Sequence, residues 1–332
     1  MTDFDQMSLE QQMTVLNRVA EKAAVAFGVE ASGPLQLLNF RENAVYRVDD
    51  TKTGKPFALR VHRANYQTRS SIQSELQMGQ ILSAAGIPTP IGVAAADGDY
   101  VIEIADDEAD APRNCSMLVW LEGAPMDEES NPVATWEKLG VLNAQVHKVF
   151  ESTELPTGFV RQVWDENGLV GATCLWGHYI DWPKLSTADI VLLDKAAAKL
   201  RGELVAFGKD ADRYGLIHAD LMPNNVLVDG DNFQIIDFDD SGFGWHMYEL
   251  ATSLFMQEQE DIRPQLVEAW VKGYRTERPL ADEQLEMLPA FIMARRLKIM
   301  GWMSSRQNTE IVQEYGDILT ETCLQIAADY IK

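Results

Sequence analysis

The stretch Ile217-His218-Ala219-Asp220-Leu221-Met222-Pro223-Asn224-Asn225-Val226, continued by Ile235-Ile236-Asp237-Phe238-Asp239, decides the reading of this chain. Between the two pieces, residues 226–228 and 234–236 are strand-like and join through Asp229-Gly230-Asp231-Asn232, where Gly230 suits a tight turn, so a β-hairpin is expected. A loop stiffened by Pro223 would hold Asp220 and Asn225 on one rim, and the returning strand would deliver Asp237 to the same rim. Phosphoryl transfer asks for little more: hard oxygen ligands for magnesium and a carboxylate that orients the attacking hydroxyl. Asp220 is the expected acceptor of the hydroxyl proton, with His218 supporting its loop, and Asn225 and Asp237 are the expected magnesium ligands. A surface hairpin with turn-forming Asp and Asn is the plain alternative, which the two motifs in this order and spacing outweigh.

Upstream, the texture is strand-like. Ser8 and Gln11 form a capping box that opens a helix with apolar residues at Val15, Val19 and Ala23, stopping at Gly28. Runs at 35–40, 45–48, 57–61, 91–94, 100–104 and 116–121 read as strands, with 91–94 and 100–104 flanking the turn Asp97-Gly98-Asp99. A helix over 68–85 is closed by Gly86, and Pro88 and Pro90 forbid its continuation. Beyond Asn131-Pro132 the pattern becomes amphipathic helix, over about 132–150, 187–207, 245–257, 261–275, 282–303 and 308–331. An α+β chain in two lobes follows: residues 1–121, β-rich with one inserted helix, and residues 122–332, mostly helical and carrying the catalytic hairpin.

These motifs, in this order, resemble the aminoglycoside phosphotransferase superfamily, which includes choline and homoserine kinases, over nearly the whole chain. The resemblance implies a bilobal protein-kinase-like fold, a small antiparallel β-sheet lobe plus a larger helical lobe, with ATP and Mg2+ as cofactors. Asp237-Phe238-Asp239-Asp240, Gly242 to Trp245 and Tyr248-Glu249-Leu250-Ala251 match the superfamily's exit from its metal-binding strand. Asp239 stands where protein kinases carry glycine, which points to small-molecule acceptors, and Glu249 stands where members often carry aspartate. Ala58-Leu59-Arg60-Val61 matches the strand that bears the nucleotide-gripping lysine. Arg60 takes that place; its guanidinium can fork onto phosphate oxygens but is bulkier than an ammonium. Glu75, in line with Met78 and Leu82 on one helix face, is its expected partner. Phe40-Arg41-Glu42-Asn43 takes the place of the phosphate-covering loop, with Asn43 as a phosphate contact. Residues 117–123 take that of the linker whose backbone meets adenine, with Val119 and Leu121 as candidates. His147 matches a histidine of the first large-lobe helix and is read as structural.

Bulk properties narrow the partners. With 28 basic and 51 acidic residues the net charge is −23, which disfavours nucleic acid and anionic membranes. Cys115, Cys174 and Cys323 form no Cys-x-x-Cys, so neither a disulfide framework nor a zinc site is indicated, and no apolar run reaches membrane-spanning length. A cytoplasmic setting is expected. Trp164, Trp176, His178, Tyr179 and Trp182, beside Asp165, Glu166 and Asp181, would suit an ammonium group, although packing is the commoner use of such aromatics. Arg295-Arg296, Lys298 and Arg306 would suit a substrate carboxylate, although intrachain ion pairing is the commoner use. The expected acceptor is therefore the hydroxyl of a small amino acid or amino alcohol. Three rival readings are a stress-response-type serine/threonine protein kinase, a silent nucleotide-binding scaffold suggested by Arg60 and Glu249, and a metal phosphohydrolase built on Asp237, Asp239 and Asp240.

Overall fold

The computed structural model describes residues 4–40, 43–109, 111–172 and 174–332. They group into two compact units, the first comprising Met1–Ala124, Leu155–Arg161 and Leu227–Asp239, the second Pro125–Glu154, Gln162–Val226 and Asp240–Lys332. The division at 121/122 read from the sequence differs in three respects: the linker up to Ala124, the segment Leu155–Arg161 and the hairpin residues Leu227–Asp239 all group with the first unit, although the last two were expected in the helical part.

In the first unit, helix α1 (Leu9–Ala26) begins at the anticipated box, with Ser8 Oγ accepting the Gln11 N–H at 3.3 Å and Gln11 Oε1 accepting the Ser8 N–H at 2.9 Å. Such a cap stabilises a helix by about 1 kcal/mol. Strands β1 (Gln36–Phe40), β2 (Ala44–Asp49) and β3 (Pro56–Val61) lead to helix α2 (Arg69–Ala84), then to β4 (Gly92–Val93), β5 (Val101–Ile104) and β6 (Arg113–Val119). The sheet is antiparallel, in the order β1-β2-β3-β6, with β4 and β5 both on the far side of β6. Gly92 lies opposite Leu118 and Val101 opposite Ser116, so β4 and β5 are two pieces of one edge rather than the two arms of a hairpin. The turn around Gly98 closes locally instead, through an Ala95 N–H donated to the Asp99 carbonyl at 2.8 Å. Tyr46, Val48, Leu59, Val61, Cys115 and Met117 form the core with Val15, Val19 and Ala23 of α1.

The linker ends in the short strand β7 (Ala124–Pro125), and helix α3 (Pro132–Ser152) follows, capped by Asn131 with Pro132 in its first turn. Next come β8 (Gln162–Trp164), α4 (Glu166–Val170), α5 (Thr187–Phe207), β9 (Tyr214–Ile217) and the hairpin strands β10 (Val226–Asp229) and β11 (Asn232–Ile235). The chain finishes with β12 (Gly242–Trp245), α6 (His246–Ser253), α7 (Arg263–Glu277), α8 (Asp282–Leu285), α9 (Leu288–Ser304) and α10 (Glu310–Tyr330). The helix expected over 245–257 stops at Ser253. That expected over 282–303 is two, because the Pro289 ring excludes the carbonyl four residues back and a new helix starts around it. A small sheet absent from the sequence reading, β8-β12-β9, fixes the strand that feeds the 218–225 loop. Helices α3 and α7 run backbone against backbone: a Cβ on Gly140 would lie 2.0 Å from the Trp270 carbonyl oxygen, and one on Gly273 1.9 Å from that of Glu137. Among the described residues, no helix is long and apolar enough to cross a membrane.

Candidate active site

In the first unit, β3 places Arg60 opposite Val45 on one side and Ser116 on the other, with its side chain buried. One arm of the guanidinium pairs with Glu75 of α2, as the sequence predicts. The second arm lies 3.3 Å from Asp239 Oδ1 and 3.9 Å from Asp237 Oδ1, so three carboxylates surround one cation. Burial works against the charge of Arg60, but Glu75, then Asp239 and Asp237, outweigh it and hold the guanidinium protonated. Burial pushes the Asp239 carboxyl upward, with Glu75 and Asp237 adding to the shift and Arg60 opposing it.

The turn after β11 is fastened from several sides. Gln67 Nε2 donates to Asp239 Oδ1 at 2.9 Å and to its carbonyl at 2.7 Å, and Arg161 donates to the carbonyls of Phe238 and Asp239 at 2.9 and 2.6 Å. Asp237 differs from Asp239: its side chain is 54% exposed, and its backbone takes the left-handed conformation at φ 63°. A non-glycine residue held there costs about 1–3 kcal/mol and is found where the surroundings enforce it. The hairpin itself is anchored to the linker by Gln234 Nε2 donating to the Glu122 carbonyl at 2.6 Å.

In the second unit, β9 runs into His218-Ala219-Asp220, with Ala219 also left-handed at φ 66°. Glu249 of α6 enforces this turn: its Oε1 accepts the N–H of His218 at 2.5 Å and that of Ala219 at 3.1 Å. Burial raises the Glu249 carboxyl, while His218 and the two N–H groups pull it back. Its extra methylene therefore fits the bracing role. The hydroxyls of Thr252 and Ser253 donate to the carbonyls of Ala219 and Leu221 at 3.4 and 3.2 Å. His218 is buried and its Nδ1 accepts the Asp220 N–H at 3.3 Å, so it supports the loop from inside.

Asp220 keeps 26% of its side chain exposed, and both of its oxygens accept hydrogen bonds. Oδ1 takes Arg295 Nη2 at 2.6 Å, and Oδ2 takes Asn225 Nδ2 at 3.1 Å. The same Asn225 nitrogen reaches the Asp220 carbonyl at 2.8 Å, so the amide oxygen is the atom of Asn225 that could hold a metal.

Other expected residues fall as follows. Asn43 is buried, and its Oδ1 accepts the Arg63 N–H at 3.2 Å, a brace between strand ends; Arg41 and Glu42 lie outside the described residues. The Val119 N–H is donated to the Ile91 carbonyl at 2.8 Å, so this amide is not open to adenine, while Leu121 lies past the end of β6 in the linker. His147 is buried, bonded through Nδ1 to the Tyr274 hydroxyl at 2.9 Å and stacked on His246, in keeping with a structural role. Of the aromatic stretch, Trp164, Tyr179 and Trp182 are buried packing residues. Trp176 is half-buried, with its indole N–H on Asp240 Oδ1 at 2.9 Å and its ring facing Arg295 at 5.2 Å. Burial pushes the Tyr248 hydroxyl up to about 12, with Arg295 opposing the shift and Asp220 and Asp240 adding to it. In the basic cluster, Arg296 pairs with buried Glu258 and Arg295 with Asp220, while Lys298 donates to the carbonyls of Leu175 and Gly177. Gln67, Arg161, Thr252 and Ser253 carried no sequence signal, since the bonds by which they brace the two loops reach groups far away in the chain.

The phosphotransferase enzyme family model matches residues 36–283, a span that holds Arg60, Glu75, Asp220, Asn225 and Asp237. The chain belongs to this family. It is a small-molecule kinase with a hydroxyl acceptor, on an α+β protein-kinase-like fold. A solved structure of a microcompartment-associated aminopropanol kinase is 33% identical, at a TM-score of 0.82, and each chain is covered over 95% of its length. The amicoumacin kinase of Bacillus subtilis (strain 168) is 24% identical over 297 residues, 86% of this chain and 83% of that protein. A homoserine kinase of Chelativorans sp. (strain BNC1) is 27% identical over 274 residues, 78% of this chain and 76% of the relative.

Proposed function

We propose that this kinase moves the γ-phosphate of ATP to the hydroxyl of a small amino alcohol. The observation that carries this reading is Asp220, a partly exposed carboxylate whose two oxygens are both oriented by donors at the end of a braced loop. The acceptor hydroxyl donates to Asp220; as its oxygen bonds to the γ-phosphorus and the bond to ADP breaks, Asp220 takes the proton. The Asn225 amide oxygen in the second unit and the Asp237 carboxylate in the first are each hard donors of the kind that would hold magnesium. Bound Mg2+ supplies neutralisation of phosphate charge. Arg60, kept charged by Glu75, and Leu121 and Asn43 belong to the nucleotide side.

The acceptor's amine is supported by the carboxylate of Asp240 and the indole of Trp176 beside Asp220, and by the 33% identity to an aminopropanol kinase. Incubation with ATP, Mg2+ and a panel holding 1-amino-2-propanol, ethanolamine, choline, homoserine and uncharged diols tests it by mass spectrometry. A phosphorylated amino alcohol is the expected product. ATP bound without transfer to any alcohol would contradict the reading.

A further inference from the structure

We propose that Arg295 is a positioning residue that fixes Asp220 for transfer and that it does not receive a carboxylate of the acceptor. The inference rests on the reading of Asp220 given above, and it narrows the acceptor to alcohols without a carboxylate.

The neighbouring arginines of α9 have different partners. Arg296 forks onto Glu258 at 2.7 and 2.5 Å with both side chains buried, a structural pair. Arg295, with only 3% of its side chain exposed, reaches Asp220 instead. Its Nη2 holds Oδ1 of Asp220, its Nη1 approaches the carbonyl of left-handed Ala219 at 3.4 Å, and Trp176 and Phe255 lie 5.2 and 5.7 Å from the guanidinium carbon. Nη2 also lies 4.0 Å from Met222 Sδ, and Nε is buried without a hydrogen-bond partner. An arginine that receives a substrate carboxylate commonly does so through two parallel N–H groups. The Nη2 arm of Arg295 is already on the catalytic carboxylate, and drawing it away would release the group that orients the hydroxyl. Nearby Lys298 is also occupied, donating to the carbonyls of Leu175 and Gly177.

Three variants of the full chain, R295K, R295A and D220A, assayed with 1-amino-2-propanol and with homoserine, test the proposal. Displacement of a catalytic group by about 1 Å costs about 100-fold in rate, so R295A should lose about that much kcat while the KM for ATP stays within about twofold. R295K should recover part of the loss, and added guanidinium ion should raise kcat of R295A without helping D220A. The wild-type enzyme should prefer 1-amino-2-propanol to homoserine by at least about tenfold. A homoserine KM that rises in R295A at unchanged kcat would make Arg295 a carboxylate receptor and overturn the proposal. Absence of guanidinium rescue together with an equal fall in ATP affinity would reduce Arg295 to a packing role and overturn it as well. Wild-type transfer by D220A, by contrast, would sink the reading of Asp220 itself.

Discussion

At the scale of single residues, Arg60 is the most instructive. Two arms of one planar group meet Glu75 and approach Asp239, a geometry that a lysine ammonium on a flexible stem does not reproduce. R60K would keep a positive charge but lose the arm that reaches Asp239 while the other pairs with Glu75, letting the turn bearing Asp237 shift. The expected outcome is a loss of about tenfold or more in kcat/KM with a raised KM for ATP, read by steady-state kinetics; equal or improved activity would mean the site is not built around the guanidinium. The partnership with Glu75 was legible because strand position and helix face both follow from local pattern. The second arm was not, since Asp239 lies 179 residues away and nothing local marks the meeting. The same holds for Arg295, where the basic cluster was visible but its partner, 75 residues off, was not.

At the scale of elements, the legible features were those with local causes: the Ser8 box, the Asn131-Pro132 start, the glycine and proline stops, and the hairpin around Gly230. Features that the sequence left open were those set by neighbours. Residues 92–93 and 101–104 share one side of β6, and 242–245 becomes a strand only because β8 and β9 flank it. Close approach of α3 and α7 is another such tertiary fact, made possible by Gly140 and Gly273. Alanine at Gly273 would put a methyl into the Glu137 carbonyl, and overpacking of this kind costs about 1–3 kcal/mol or more. G273A should therefore unfold at lower temperature and denaturant than the wild type, followed by circular dichroism. An unchanged midpoint would show that the helices separate freely.

Across the whole molecule, the residues proposed for chemistry fall into two sets. Arg60, Glu75 and Asp237 are in one compact unit, Asp220, Asn225 and Arg295 in the other, and each set is braced within its own unit by buried polar groups. This division predicts a division of labour between nucleotide binding and hydroxyl activation. The order of the motifs along the chain carried that expectation, because it needs only the hairpin that joins them. The most direct measurement is Mg2+-dependent ATP binding, by calorimetry, alongside transfer to 1-amino-2-propanol in D220N and D237A. Losing its proton acceptor should cost D220N about 100-fold or more in transfer while leaving ATP affinity within about twofold, whereas D237A should lose the Mg2+-dependent part of ATP binding. Wild-type transfer by D220N, or the same loss of nucleotide affinity in both variants, would contradict the account.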